Sequence, residues 1–180
     1  MLLREQASFP LAARLRETGA SIGEVFSFLS GLYFRGKLSY GRTFGRPLVI
    51  APGRGLLSPD ERVTLDDLRA IAAVGVAPDE PRYRQPLERD ADALAASLRD
   101  GEMVVLLGSI ATGKYLDVLD SRLDGRLRFP AAFVGRGDMS RGGLMLRCVM
   151  QAAELEYVPL AGAARRGKRP PRLTPLRSGR

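Results

Sequence analysis

The chain has 180 residues, 45% of them apolar, with one cysteine and no histidine. That length supports one domain with its own core. Missing histidines exclude Ser-His-Asp and Cys-His catalysis, histidine-bound zinc and the commonest base near neutral pH, and the lone Cys148 excludes an internal disulfide or a multi-cysteine metal site, so no metal is expected. Of the formal charge of +8, seven positive charges lie between Arg165 and Arg180 with no acid among them, leaving about +1 on residues 1–164.

In chain order, Pro10 opens a short helix that ends by Gly19. Ser21 with Glu24 reads as a capping box, and Ile22, Val25, Phe26, Leu29, Leu32, Tyr33, Gly36, Tyr40 and Phe44 recur at helical spacing. Gly31, Gly36 and Gly41 cost that helix about 1 kcal/mol each against Ala. Such glycines are worth keeping where another backbone or a ligand passes close. Arg35, Lys37 and Arg42 alternate with Tyr33, Phe34 and Tyr40, a mixture that suits phosphates and bases, although amphipathic packing with a solvated edge accounts for it better. Leu48–Ala51 is a short strand ending in a glycine loop that carries Arg54. Thr64 with Asp67 caps a helix to about Val74. Residues 75–86, with three prolines, form a long irregular loop of the kind that serves as a lid, and residues 87–98 an Ala-rich helix. Strands at 103–107 and 127–134 follow, with a helix over Lys114–Leu123 between them. A helix over Met139–Ala153, capped by Asp138 or Ser140, and a last strand at 155–160 complete the set. Cys148 falls on an apolar face as a small buried residue.

Strands alternating with helices predict an α/β fold: a single three-layer domain with a small, mostly parallel sheet of about four strands and helices on both faces. Residues 1–46 are expected as a helical segment packed on the core, 47–163 as the α/β core, and 164–180 as a basic, flexible tail. In such sheets ligands lie beyond the carboxyl ends of the strands. Three glycine loops would meet there: Arg54; Gly108, Ser109, Thr112, Gly113 and Lys114; and Arg136, Asp138, Ser140 and Arg141. Gly108-x-x-x-x-Gly113-Lys114 fits a phosphate loop up to its last position, where Tyr115 replaces the magnesium-binding hydroxyl. That argues for anion binding without ATP hydrolysis. Arg136 and Arg141 flank the start of the next helix, a ready seat for an anion, and Asp138 is the candidate acid or base.

The order Gly31-Leu32-Tyr33-x-x-Gly36, then Ala51-x-x-x-Gly55-Leu56 with Pro59-Asp60, then Leu107-Gly108 and Tyr115 resembles small bacterial α/β proteins of the YaaA-like kind. Their fold is loosely related to that of uracil-DNA glycosylases. The resemblance covers about residues 30–120 through short motifs, and the glycosylases' own histidine-containing signatures are absent. It implies a fold and a leaning toward nucleobases or DNA, and it assigns no catalytic residue.

The expectation is therefore a nucleotide- or nucleic-acid-directed protein, Rossmann-like, acting on a base or glycosidic bond if it is an enzyme; no cofactor is indicated. Arg165, Arg166, Lys168, Arg169 and Arg172 would add non-specific nucleic-acid contacts. The alternatives are a DNA-binding module with a helix-turn-helix-like start around Leu11–Val25, or a scaffold subunit with a protein partner. Apolar runs are too short for a membrane span and the start lacks the apolar stretch of a signal peptide, which makes the cytoplasm the expected location.

Overall fold

Local signals set most helix ends. In the computed structural model, which describes residues 2–4, 7–110 and 115–173, Pro10 occupies the first turn of α1 (Pro10–Glu17). After β1 (Ala20–Ser21), Ser21 caps α2 (Ile22–Phe44) by accepting from the Glu24 amide at 3.3 Å. The Glu24 side chain does not close the expected box; it turns to Arg14. The hairpin β2 (Val49–Ala51) and β3 (Gly55–Leu57) leads to β4 (Arg62–Val63). Thr64 and Asp67 then form the full capping box of α3 (Leu65–Ala72).

The expected lid is shorter than its prolines suggested. Helix α4 (Pro81–Ser97) starts where Glu80 caps it and Pro81 fills the first position, and it carries Pro86 inside. A proline at the helix start loses only an amide that has no partner there anyway. The rest follows as β5 (Val104–Val105), α5 (Leu116–Leu123), β6 (Leu127–Pro130), α6 (Asp138–Gln151) and β7 (Tyr157–Pro159). The predicted strand over 127–134 breaks at Pro130, beyond which Ala131–Phe133 is a 3-10 turn.

The α/β class stands, but the single sheet of about four mostly parallel strands does not form. Three small sheets take its place among the described residues: β1–β4, β2–β3 and β5–β6–β7. Only β5 and β6 run parallel; β7 pairs antiparallel with β6, Phe129 opposite Val158. The strand at 49–51 turns straight back, Ile50 opposite Leu56, and never joins β5. Gly53 and Gly55, with φ of 77° and 82°, make that reversal, a backbone region open mainly to glycine.

Two apolar cores result. Leu2, Leu15, Ile22, Val25, Val63 and Ile71 fill one; Tyr40, Leu87, Leu127, Phe129, Phe133 and Met145 fill the other. Helix α2 passes from the first to the second, and its path breaks at Gly31 (φ 57°, ψ −135°). Cys148 is buried, and burial pushes its thiol pKa up. Among the described residues no helix is long and apolar enough to cross a membrane.

The most extensive helix pairing is α2 on α6. A β-carbon on Gly36 would lie 2.7 Å from the Gly142 carbonyl oxygen, and one on Gly142 would lie 2.7 Å from that of Leu32. The two backbones touch because neither residue has a side chain. This contact brings the second half of α2 beside the first turn of α6.

Candidate anion-binding site

Tyr33 and Lys37 stand one helical turn apart on α2 and so share a face. The Lys37 ammonium sits 4.0 Å above the centre of the Tyr33 ring. Across the glycine contact, Arg141 reaches back from α6. Its Nε donates to the Phe133 carbonyl at 3.2 Å, its guanidinium lies 5.5 Å from the Phe133 ring centre, and its side chain is only 12% exposed. Asp138 is the carboxylate that faces both cations; it is 67% exposed and lies 3.9 Å from Arg141.

Two cations are thus held inside against one carboxylate at the rim. Burial lowers the Lys37 pKa to about 8; Arg141 adds to the fall and Asp138 opposes it. Burial raises the Tyr33 phenol, against the hydrogen bond from Arg141.

Tyr33 also joins this cluster to the loop after β5. Its hydroxyl donates to the Leu107 carbonyl at 3.1 Å, and Tyr115 donates to the Ser109 carbonyl at 2.6 Å. Gly108 is needed for that arrangement, because a β-carbon there would lie 2.5 Å from the Tyr115 hydroxyl. Burial raises the Tyr115 phenol, and the next largest influence is Tyr33. Tyr33 of α2 therefore touches both Leu107, just before the second predicted loop, and Arg141 of the third. Thr112, Gly113 and Lys114 lie outside the described residues.

Arg54 does not join them. It sits in the β2–β3 turn and pairs with Asp67 at 3.0 Å and Glu61 at 3.3 Å, so its charge is spent on the start of α3. It faces a separate groove with Ile71, Val74 and Arg89. The reason is topological: a hairpin turn is not the carboxyl edge of a parallel sheet.

The cap of α6 also differs from expectation. Gly137 is the N-cap, without a side-chain hydrogen bond, and Asp138 and Ser140 fall within the first turn. Ser140 accepts from Arg136 at 3.2 Å instead, and the Arg136 Nε donates to the Ala132 carbonyl at 2.9 Å. The tail cations Arg165, Arg166, Lys168, Arg169 and Arg172 are exposed, yet the segment is packed: the Lys168 carbonyl and Gly167 seat against Gly135. Sequence reading noted Tyr33 and Lys37 as a pattern without assigning them to the site. The usable signal was their spacing of four with Gly36 between.

No family model, curated protein or solved structure matches this chain.

Proposed function

We propose that the crevice between α2 and the first turn of α6 binds a phosphate group, and that the protein is directed to nucleotides or nucleic acid. One observation carries this reading: Lys37 and Arg141 are held together, largely out of water, with the mostly exposed Asp138 facing them. Buried charges are costly unless paired. A bound anion supplies a further partner for them, at the start of a helix, where anions are favoured. The Tyr33 ring lies against the Lys37 ammonium and so fixes that cation near Arg141. The resemblance of residues 30–120 to YaaA-like proteins points the same way.

If the ligand is cleaved, Asp138 is the group placed to move a proton beside the anion. The helix-turn-helix alternative is less well served, since no cation lies between Ile22 and Gly31 to meet a duplex backbone.

The test is calorimetric titration with inorganic phosphate and with a nucleoside monophosphate. Binding by the wild type should weaken at least tenfold in both Lys37→Ala and Arg141→Ala, since a charge-assisted contact is worth roughly 1.5–3 kcal/mol. Equal binding by wild type and variants would remove the site.

A further inference from the structure

A second cluster of cations lies on the other side of the α6 N-terminus. The chain returns there after its last 3-10 turn. Gly135, with φ of 75°, leaves room for the Lys168 carbonyl, and Gly167 fits against Val134. Leu173 then reaches α6 at Gly143, 3.6 Å from where a β-carbon would stand. Residues 167–173 form a strap across the first half of α6. Between strap and helix runs a groove of about 460 Å³.

Arg136, Arg147, Arg169 and Arg172 all line this groove, and among the described residues no carboxylate does. Arg136 is held by the Ala132 carbonyl and Ser140. Arg169 and Arg172 make no hydrogen bond or ion pair among the described residues. Like charges gathered by backbone geometry create a strong local field for a polyanion.

We propose that this groove is a track for the phosphodiester backbone of a single nucleic-acid strand. Two features favour a nucleic-acid strand over an acidic peptide. Pro170 and Pro171 have no amide hydrogen, so the strap offers little for a peptide to pair with as an added strand. Met139, 68% exposed, and the two prolines supply apolar ledges beside the cations, the mixture that sugars and unstacked bases need. The groove is of small-ligand size. The track rests on the nucleotide reading for its ligand class. It adds that the ligand is a strand, and that the tail binds through a fixed surface instead of diffuse charge.

The experiment uses the full chain and a labelled twelve-nucleotide oligothymidine, followed by fluorescence anisotropy across salt concentrations. Arg169→Ala/Arg172→Ala should weaken binding at least tenfold. It should also reduce the slope of log K against log salt by about 1.4, two phosphates at roughly 0.7 each for single strands. Arg165→Ala/Arg166→Ala removes equal charge from the same tail but outside the groove, and should weaken binding less than threefold. Equal losses in the two double variants would overturn the proposal, as would a twelve-residue polyglutamate binding as tightly as the oligonucleotide in the same salt. Phosphate titration separates the two sites: if wild type shows the predicted oligonucleotide pattern but no phosphate binding sensitive to Lys37→Ala, the α2–α6 crevice fails and the track stands.

Discussion

Gly142 and Gly143 are neighbours on α6, and the structure gives them opposite responses to the same change. A β-carbon on Gly142 would lie 2.7 Å from the Leu32 carbonyl oxygen, 2.9 Å from its carbon and 3.0 Å from the Tyr33 α-carbon. All three are backbone atoms of α2 and cannot rotate aside. Relaxed carbon–oxygen contacts begin near about 3.3 Å, so the helices must part by roughly half an ångström or more. Overpacking of this kind costs about 1–3 kcal/mol, against which alanine returns about 1 kcal/mol of helix propensity. Gly142→Ala should therefore destabilise by up to about 2 kcal/mol. At Gly143 the nearest atom is Leu173 Cδ1 at 3.6 Å, an ordinary contact, so propensity should win and Gly143→Ala should stabilise by up to about 1 kcal/mol. Urea unfolding reads both, provided m is unchanged. Gly142→Ala should also weaken phosphate binding, because it separates Tyr33 and Lys37 from Asp138 and Arg141. If both variants shift stability in the same direction, the α2–α6 contact is not as described.

Lys37 should titrate near pH 8; the chain has three lysines, so methyl-labelled lysine signals can resolve it by NMR. Its folded pKa, about 8, lies below the ordinary 10.5. The cost of burying the charge is thus fully present below pH 8, and stability should rise between about 8 and 10.5, a rise absent from Lys37→Met. Phosphate affinity should fall as pH climbs through 8, and a flat profile would contradict the Lys37 role. Arg54→Ala should leave phosphate affinity unchanged and cost at most about 1 kcal/mol for its exposed pairs, while Thr64→Ala should cost about 1 kcal/mol through loss of the α3 cap; thermal unfolding and calorimetry distinguish the two effects. Tyr40 accepts from the Leu155 amide at 2.8 Å and lies 2.6 Å from the Tyr157 hydroxyl, which in turn donates to Glu154. Tyr40→Phe breaks that chain and should cost about 1–3 kcal/mol in denaturant; no change would mean the polar chain adds nothing to stability.

Signals that act within one turn of chain were readable. Pro10, Ser21 and the Thr64–Asp67 box each mark a helix start because the group they satisfy lies a few residues away. Glu80 with Pro81 is the same kind of signal, but Pro78 and Pro86 on either side drew the reading toward a loop. Strand partners were not readable. Three residues from Val49 to Ala51 are too few to show whether the chain crosses over or turns back, and that depended on Gly53 and Gly55 taking left-handed conformations. Glycine loops that hold a phosphate and glycine turns that close a hairpin look alike in sequence, and Arg54 was misplaced for that reason.

The candidate site was half legible for a related reason. Arg136–Arg141 announces itself as a dense polar segment at a helix start, and the structure keeps it there. Its partner, Lys37, sits in a pattern that packing explains equally well until one knows which helix lies against α2. That is decided by Gly36 and Gly142, far apart in sequence, each carrying no side chain where the other's backbone arrives. In Gly36 the helix accepts a loss of about 1 kcal/mol at a point where alanine would keep Lys37 away from Arg141. The glycines bring two like charges to within mutual influence at the edge of a core. One exposed carboxylate, Asp138, faces the pair, and that imbalance is the physical reason for proposing an anion between them.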